Sequence, residues 1–273
     1  MLGVVPDAFG ALPGLQMNGL MDQLLQFFAV TLRIGAFLMA APFFGSRMVM
    51  LQVRIVTVVA LSIFIFGQID LPSVEVLTSP RLLPLMAQEL ALGLSAGLIL
   101  TILFSAVSLA GEKVASTSGL SFAAQIDPTS GGQTPVISQI FTLFLTILFM
   151  AMDGHLITIA LVLDSYKTIP IGGIVTLSPL VDAGLSAAGT MFEMATKIML
   201  PIAALLLLIN IAIGVITKSA PQLNLFSFGF PITLIAVYVI LFISTWPLAH
   251  SFGNLIQQSM DIIETLIGGL AGG

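Results

Sequence analysis

From its amino end the chain alternates long apolar runs with short polar connections. Runs at 20–44, 82–110, 136–163, 185–217 and 228–250 are long enough to cross a hydrocarbon core of about 30 Å, which takes about 20 residues. A run at 55–69 is marginal in length. Hydropathy therefore predicts an all-α, membrane-associated chain with about six helical segments and no separate soluble domain.

The runs are not clean. Asp153, Gly154 and His155 place a polar step inside the fourth run and predict a helix break there. The fifth contains Glu193, Lys197, Pro201 and Asn210. Glu193 and Lys197 stand four apart and can pair on one helical face. Pro201 removes a backbone donor, which predicts a kink or a break. Pro42 marks the exit of the first run. The connection at 111–135 is rich in Gly, Ser and Thr, yet carries Leu120, Phe122 and Ile126, so it can leave the bilayer and bury itself again. The connection at 218–231 is dense in Pro, Gly and Phe and reads as a tight re-entry between long helices. Residues 1–19 read as an irregular leader without the basic residues of a secretory signal. Residues 251–273 read as a C-terminal tail whose glycine-rich end frays.

Composition sharpens one point. With 58% apolar and only 8% charged residues, and a mean hydropathy of +1.13, charges inside the runs stand out. Those are Arg33, Glu89, Glu193 and Lys197. A charge at the centre of a lipid-facing helix costs roughly 2.5–3.5 kcal/mol, so these groups are expected to face protein or water. They are either a proton or ion pathway or a set of inter-helix and inter-subunit pairs. Two carboxylates with two bases make mutual neutralisation the less costly arrangement. Gly93 and Gly97 form a G-x-x-x-G step, with Ala106 and Ala110 repeating the spacing, which marks either a specific close helix contact or the ordinary small residues of a membrane helix.

Other chemistry is excluded or unsupported. A net charge of −5 with scattered basic residues argues against a nucleic-acid partner. The absence of cysteine removes disulfides, thiolate chemistry and Cys-based zinc sites. Two histidines far apart in sequence, no phosphate-cradling glycine loop and no nucleophile elbow give no reason to expect an enzyme, a metal site or a cofactor.

The motifs in order along the chain resemble a known family. Arg33-Ile34-Gly35, then 41–46 (APFFGS), is similar to the first helix and exit of the FliR family of type III secretion export-gate subunits. So are Gly111-Glu112-Lys113 through Gly119 to Asp127-Pro128, then Gly154-His155, Pro201, Asn210 and Gly214. The strongest match is Pro221-Gln222-Leu223-Asn224, Phe226 and Gly229-Phe230-Pro231. The resemblance covers nearly the whole chain except the first twenty or so residues and the glycine tail.

What it implies goes beyond the residues themselves. The family fold is a set of kinked, broken helical hairpins that stack in a helical hetero-oligomer around a pore, not a flat bundle. The implied role is a non-enzymatic subunit of the flagellar export gate, passing unfolded flagellar proteins across the bacterial inner membrane at the basal body. The implied partners are FliP, FliQ and FlhB, then FlhA, the exported proteins and membrane lipid. The whole chain would be one such domain, with 20–184 FliP-like and 185–250 a FliQ-like hairpin. Within it, Gly111, Glu112, Lys113, Gly119, Leu120, Phe122, Ile126, Asp127 and Pro128 would belong to a loop that plugs the closed pore. The turn around Pro221, Gln222, Asn224, Phe226, Gly229 and Pro231 would set the angle between the last helices. The alternatives are the homologous subunit of a virulence injectisome and, from another class, a small-molecule secondary transporter.

Overall fold

The structure, a computed structural model, describes residues 17–45, 49–119, 136–173, 175–176, 178–220 and 228–271. Among these residues there is no strand. The helices are α1 (Met17–Ala40), α2 (Leu51–Phe66), α3 (Val74–Leu77), α4 (Leu82–Thr117), α5 (Val136–Ala151), α6 (Gly154–Thr168), α7 (Ser178–Ser219), α8 (Phe230–Ile243) and α9 (Thr245–Ala271).

Three of them, α1, α4 and α7, are long and apolar enough to cross a membrane, and up to five spans result if each bent pair counts as one. The six runs expected from hydropathy are thus resolved differently. The marginal second run is the 16-residue α2, too short to span. The fourth run is split into α5 and α6, which meet at 65°. Asp153 adopts φ 55° at this break, a left-handed conformation that a helix interior does not accommodate. The sixth run is split into α8 and α9 at 63°. Pro247 lies three positions into a new helix, where its missing N–H is tolerated. That same missing donor is the one α8 would need to continue past Ile243.

Two helices continue past points where the sequence allowed a break or a tail. Pro201 does not break α7, which runs unbroken through it for 42 residues. Only one ladder bond is lost, and the flanking Leu, Ile and Ala residues favour helix strongly enough to carry on. The tail at 251–273 is not a tail, because α9 continues to Ala271. Phe252, Leu255, Ile256, Ile263, Leu266 and Leu270 recur at helical spacing and are buried, while Gln257, Asp261 and Glu264 are exposed. Two glycines at 268 and 269 cost about 1 kcal/mol each in a helix, less than the roughly 1.5–3 kcal/mol each gained by burying Leu266 and Leu270.

The chain forms two compact units, each assembled from separated segments. Unit one comprises Met1–Leu98, Ile159–Leu180 and Glu264–Gly273. Its core is the stripe Val30, Ile34, Phe37 and Leu38 of α1 with Leu85, Leu92 and Ala96 of α4. The G-x-x-x-G step lies on this seam. A methyl group at Gly93 would collide with the Arg33 carbonyl oxygen, and one at Gly97 would stand 2.6 Å from the Ala40 Cβ. The specific reading of that step is therefore the one the packing supports. Gly93→Ala is expected to force α1 off α4 and lower the yield of intact protein several-fold, as read by gel filtration of membrane extracts. Unchanged yield and elution would mean that the seam is slack.

Unit two comprises Ile99–Thr158 and Val181–Ile263. Ile137, Phe141, Leu145 and Phe149 place one residue per turn of α5 in its core. Edge-on ring contacts follow, Phe104 with Phe149 at 5.2 Å and Phe141 with Phe252 at 5.8 Å between centroids. Such pairs add about 0.5–1.5 kcal/mol beyond area burial.

Candidate functional site

Arg33 is buried in unit one, at 1% exposure. It lies on the inner stripe of α1 between Val30 and Phe37, so its side chain has no route to solvent. Its Nε donates to Glu89 Oε2 at 2.8 Å and its Nη2 to Glu89 Oε1 at 3.1 Å. This two-pronged pairing is the geometry a planar guanidinium makes with a carboxylate. Glu89 projects from α4 and is fully buried. Nη2 also donates to the Ile169 carbonyl at 3.0 Å, just past the end of α6, and Nη1 to Ser165 Oγ at 2.9 Å. The guanidinium lies 4.2 Å from the Tyr166 ring centroid, within cation–π range. Tyr166 in turn donates its hydroxyl to the Val30 carbonyl at 2.7 Å, returning to α1.

One arginine thus joins α1, α4 and the end of α6. Every group around it has a partner, as a low-dielectric site requires. A cavity of about 20 Å³ lies beside it, lined by Arg33, Ser165 and apolar residues that include Leu266 and Leu270. That volume suits about one water molecule. The arrangement offers no free nucleophile and no open ligand position. Its geometry is that of a clasp across three segments. Among the described residues, no group of three or more His, Asp or Glu side chains could hold a metal ion.

Glu193 and Lys197 do form an ion pair on α7, at 2.5 Å, but each is 61% exposed within the chain. The reason is helix face: Met194, Ala195 and Ile198 turn inward and leave the pair outside.

The residues expected in a plugging loop divide. Gly111, Glu112 and Lys113 are not in a loop, because α4 continues to Thr117. Val114 and Ala115 are fully buried and hold that last stretch helical, while Glu112 and Lys113 are exposed. Gly119, at φ 80°, ends the helix in the left-handed conformation usual after a helix C-terminus. Leu120, Phe122, Ile126, Asp127 and Pro128 lie outside the described residues. Gly111 meets α5, where a Cβ would stand 2.5 Å from Ser138 Cα. Ser138 Oγ bonds the Ser108 carbonyl at 2.8 Å across the same contact.

Of the expected break residues, Pro42 lies in the turn after α1, where Gly45 N–H donates to the Ala41 carbonyl at 2.7 Å. Asp153 and Gly154 form the α5–α6 break, with Gly154 pressed against the Phe149 ring. His155 follows at the start of α6, and its Nδ1 is buried without a hydrogen-bond partner. Gly229 precedes α8 and Pro231 occupies its first turn. Pro221, Gln222, Asn224 and Phe226 lie outside the described residues.

Sequence reasoning missed Ser165, Tyr166 and the Ile169 carbonyl. A tyrosine inside an apolar run was the available signal, since its hydroxyl needs an acceptor when buried.

Comparison with known proteins adds a family. The model of the bacterial export proteins, family 1, matches residues 24–259. The chain is 32% identical over 245 residues to the flagellar biosynthetic protein FliR of Escherichia coli strain K12, covering 88% of this chain and 93% of that one. It is 32% identical over 243 residues to the FliR of Pectobacterium carotovorum, covering 89% and 92%. With the FliR of Bacillus subtilis strain 168 it shares 29% over 258 residues, covering 92% and 98%.

Proposed function

The chain belongs to the bacterial export proteins, family 1, and from that premise we propose that it is a subunit of the flagellar export apparatus. We assign it to the bacterial inner membrane at the flagellar basal body, where it lines a gated pore together with FliP- and FliQ-like subunits. FlhB-like and FlhA-like chains are the further neighbours. Unfolded flagellar proteins are the cargo. The single observation that carries this reading is the family match across 24–259, with relatives named for flagellar biosynthesis over nearly their full length.

The physical features agree with it. At about 1.5 Å per residue, α4 and α7 are roughly 54 and 63 Å long, well beyond the hydrocarbon thickness. Only 22% of the most apolar window of α7 is buried inside the chain, so that helix needs covering by lipid or by other subunits. The relatives' flagellar names favour the flagellar over the injectisome assignment.

In this reading the segment after α4 closes the pore when no cargo passes. Its apolar residues Leu120, Phe122 and Ile126 seal by excluding water, as hydrophobic constrictions do. Deleting residues 116–125 in the assembled complex is expected to raise ion leakage, measured as conductance in planar bilayers. Conductance equal to that of the undeleted complex would remove the plug assignment.

A further inference from the structure

Between Lys197 and Lys218, α7 is uncharged, and the polar side chains in that stretch are Asn210 and Thr217. Thr217 bonds its own helix at the Gly214 carbonyl. Asn210 reaches out instead. Its Nδ2 donates to the Thr117 carbonyl at 3.0 Å, 93 residues away in sequence and part-buried.

Thr117 is the last residue of α4. The final carbonyls of a helix have no partner within it and must be satisfied from outside. Here the accounting is complete. The Val114 carbonyl accepts from the Ser118 N–H at 3.0 Å, and that of Ala115 from Ser118 Oγ at 2.7 Å. The Ser116 carbonyl accepts from the Gly119 N–H at 3.2 Å. Three of the four bonds are local, and the fourth is brought by Asn210. The return of the chain is held as well, since Ser138 in the first turn of α5 bonds the Ser108 carbonyl across the Gly111 contact.

We propose that Asn210 is a positioning residue: by capping Thr117 from another helix it fixes where α4 ends, and so the point from which the following segment departs. An amide in so apolar a stretch of α7 is unfavourable without a partner, and this carbonyl supplies one. The bond makes α7 and the root of that segment one mechanical element. Its effect on conductance rests on the pore-sealing reading of that segment, whereas its effect on the helix end does not.

The test uses the complete co-expressed complex. Asn210→Leu keeps the size and removes the donor, and Asn210→Ser, too short to reach, serves as a second variant should leucine disturb packing. Asn210→Gln keeps an amide and is expected to rescue. Hydrogen exchange at the amides of Ser118 and Gly119 is expected to speed up by roughly three- to tenfold in the donor-less variants, the range of a single interhelical hydrogen bond in a membrane protein. Conductance of the complex is expected to rise with it, and Asn210→Gln to hold both near the parental values. Unchanged exchange in both donor-less variants overturns the proposal. Faster exchange without leakage, while deletion of 116–125 leaks, overturns the positioning role and leaves the pore-sealing reading intact. Faster exchange with no leakage from either change supports the cap and removes the pore-sealing reading.

Discussion

Arg33→Met is expected to destabilise the protein by about 3–5 kcal/mol, because it leaves the Glu89 carboxylate buried with no counter-charge. The Ser165 hydroxyl and the Ile169 carbonyl lose a donor at the same time. Glu89→Leu alone is expected to do comparable damage by stranding the guanidinium. The double variant Arg33→Met with Glu89→Leu should recover most of the loss, since replacing both members of a buried pair by apolar side chains of similar volume is often neutral. Thermal denaturation of the purified complex reads all three. Flagellar motility of the double variant then separates the two roles left open for these charges. A clasp predicts assembled and motile cells. A proton pathway predicts an assembled complex that no longer couples export to the proton motive force.

The second large effect concerns the end of α9. Leu266→Ala and Leu270→Ala should each cost about 2–5 kcal/mol, the range for deleting the side chain of a buried leucine. Both side chains line the small cavity beside Arg33. Their loss therefore also admits water to the Arg33–Glu89 pair. The two perturbations touch, so they should not add: in the Arg33→Met, Glu89→Leu background the alanines should cost measurably less. Equal costs in both backgrounds would mean that the last turns of α9 do not shield the pair. No cost at all would return residues 264–271 to the status of a frayed tail.

That tail shows why part of the fold was hidden in the sequence. A hydropathy window detects continuous apolar runs, and α9 is amphipathic, with Gln257, Asp261 and Glu264 diluting the signal of Phe252, Leu255, Ile256, Ile263 and Leu266. Counting at helical spacing would have found it. The same holds for the end of α4, where the polar stretch at 111–117 conceals the buried Val114 and Ala115. Pro201 signals a missing donor but not whether the surrounding helix can continue through it.

The site was legible only in part. That Arg33 and Glu89 needed partners followed from solvation alone. That they found each other, and that Ser165, Tyr166 and the Ile169 carbonyl completed the set, depended on contacts between 56 and 136 residues apart in sequence. No local periodicity carries such information. Glu193 and Lys197, by contrast, were readable as a pair from spacing, but their exposure depends on which face of α7 is inward.

In the proposed assembly, neighbouring subunits cover the exposed flank of α7, its outward ion pair and the ends of the two helices longer than a bilayer. Co-expression with FliP- and FliQ-like subunits, followed by native mass spectrometry of the purified particle, tests this directly. A hetero-oligomer containing all three chains is expected, together with a protease-sensitive, poorly folded product when this chain is expressed alone. A well-folded, protease-resistant monomer that ignores both partners would contradict it.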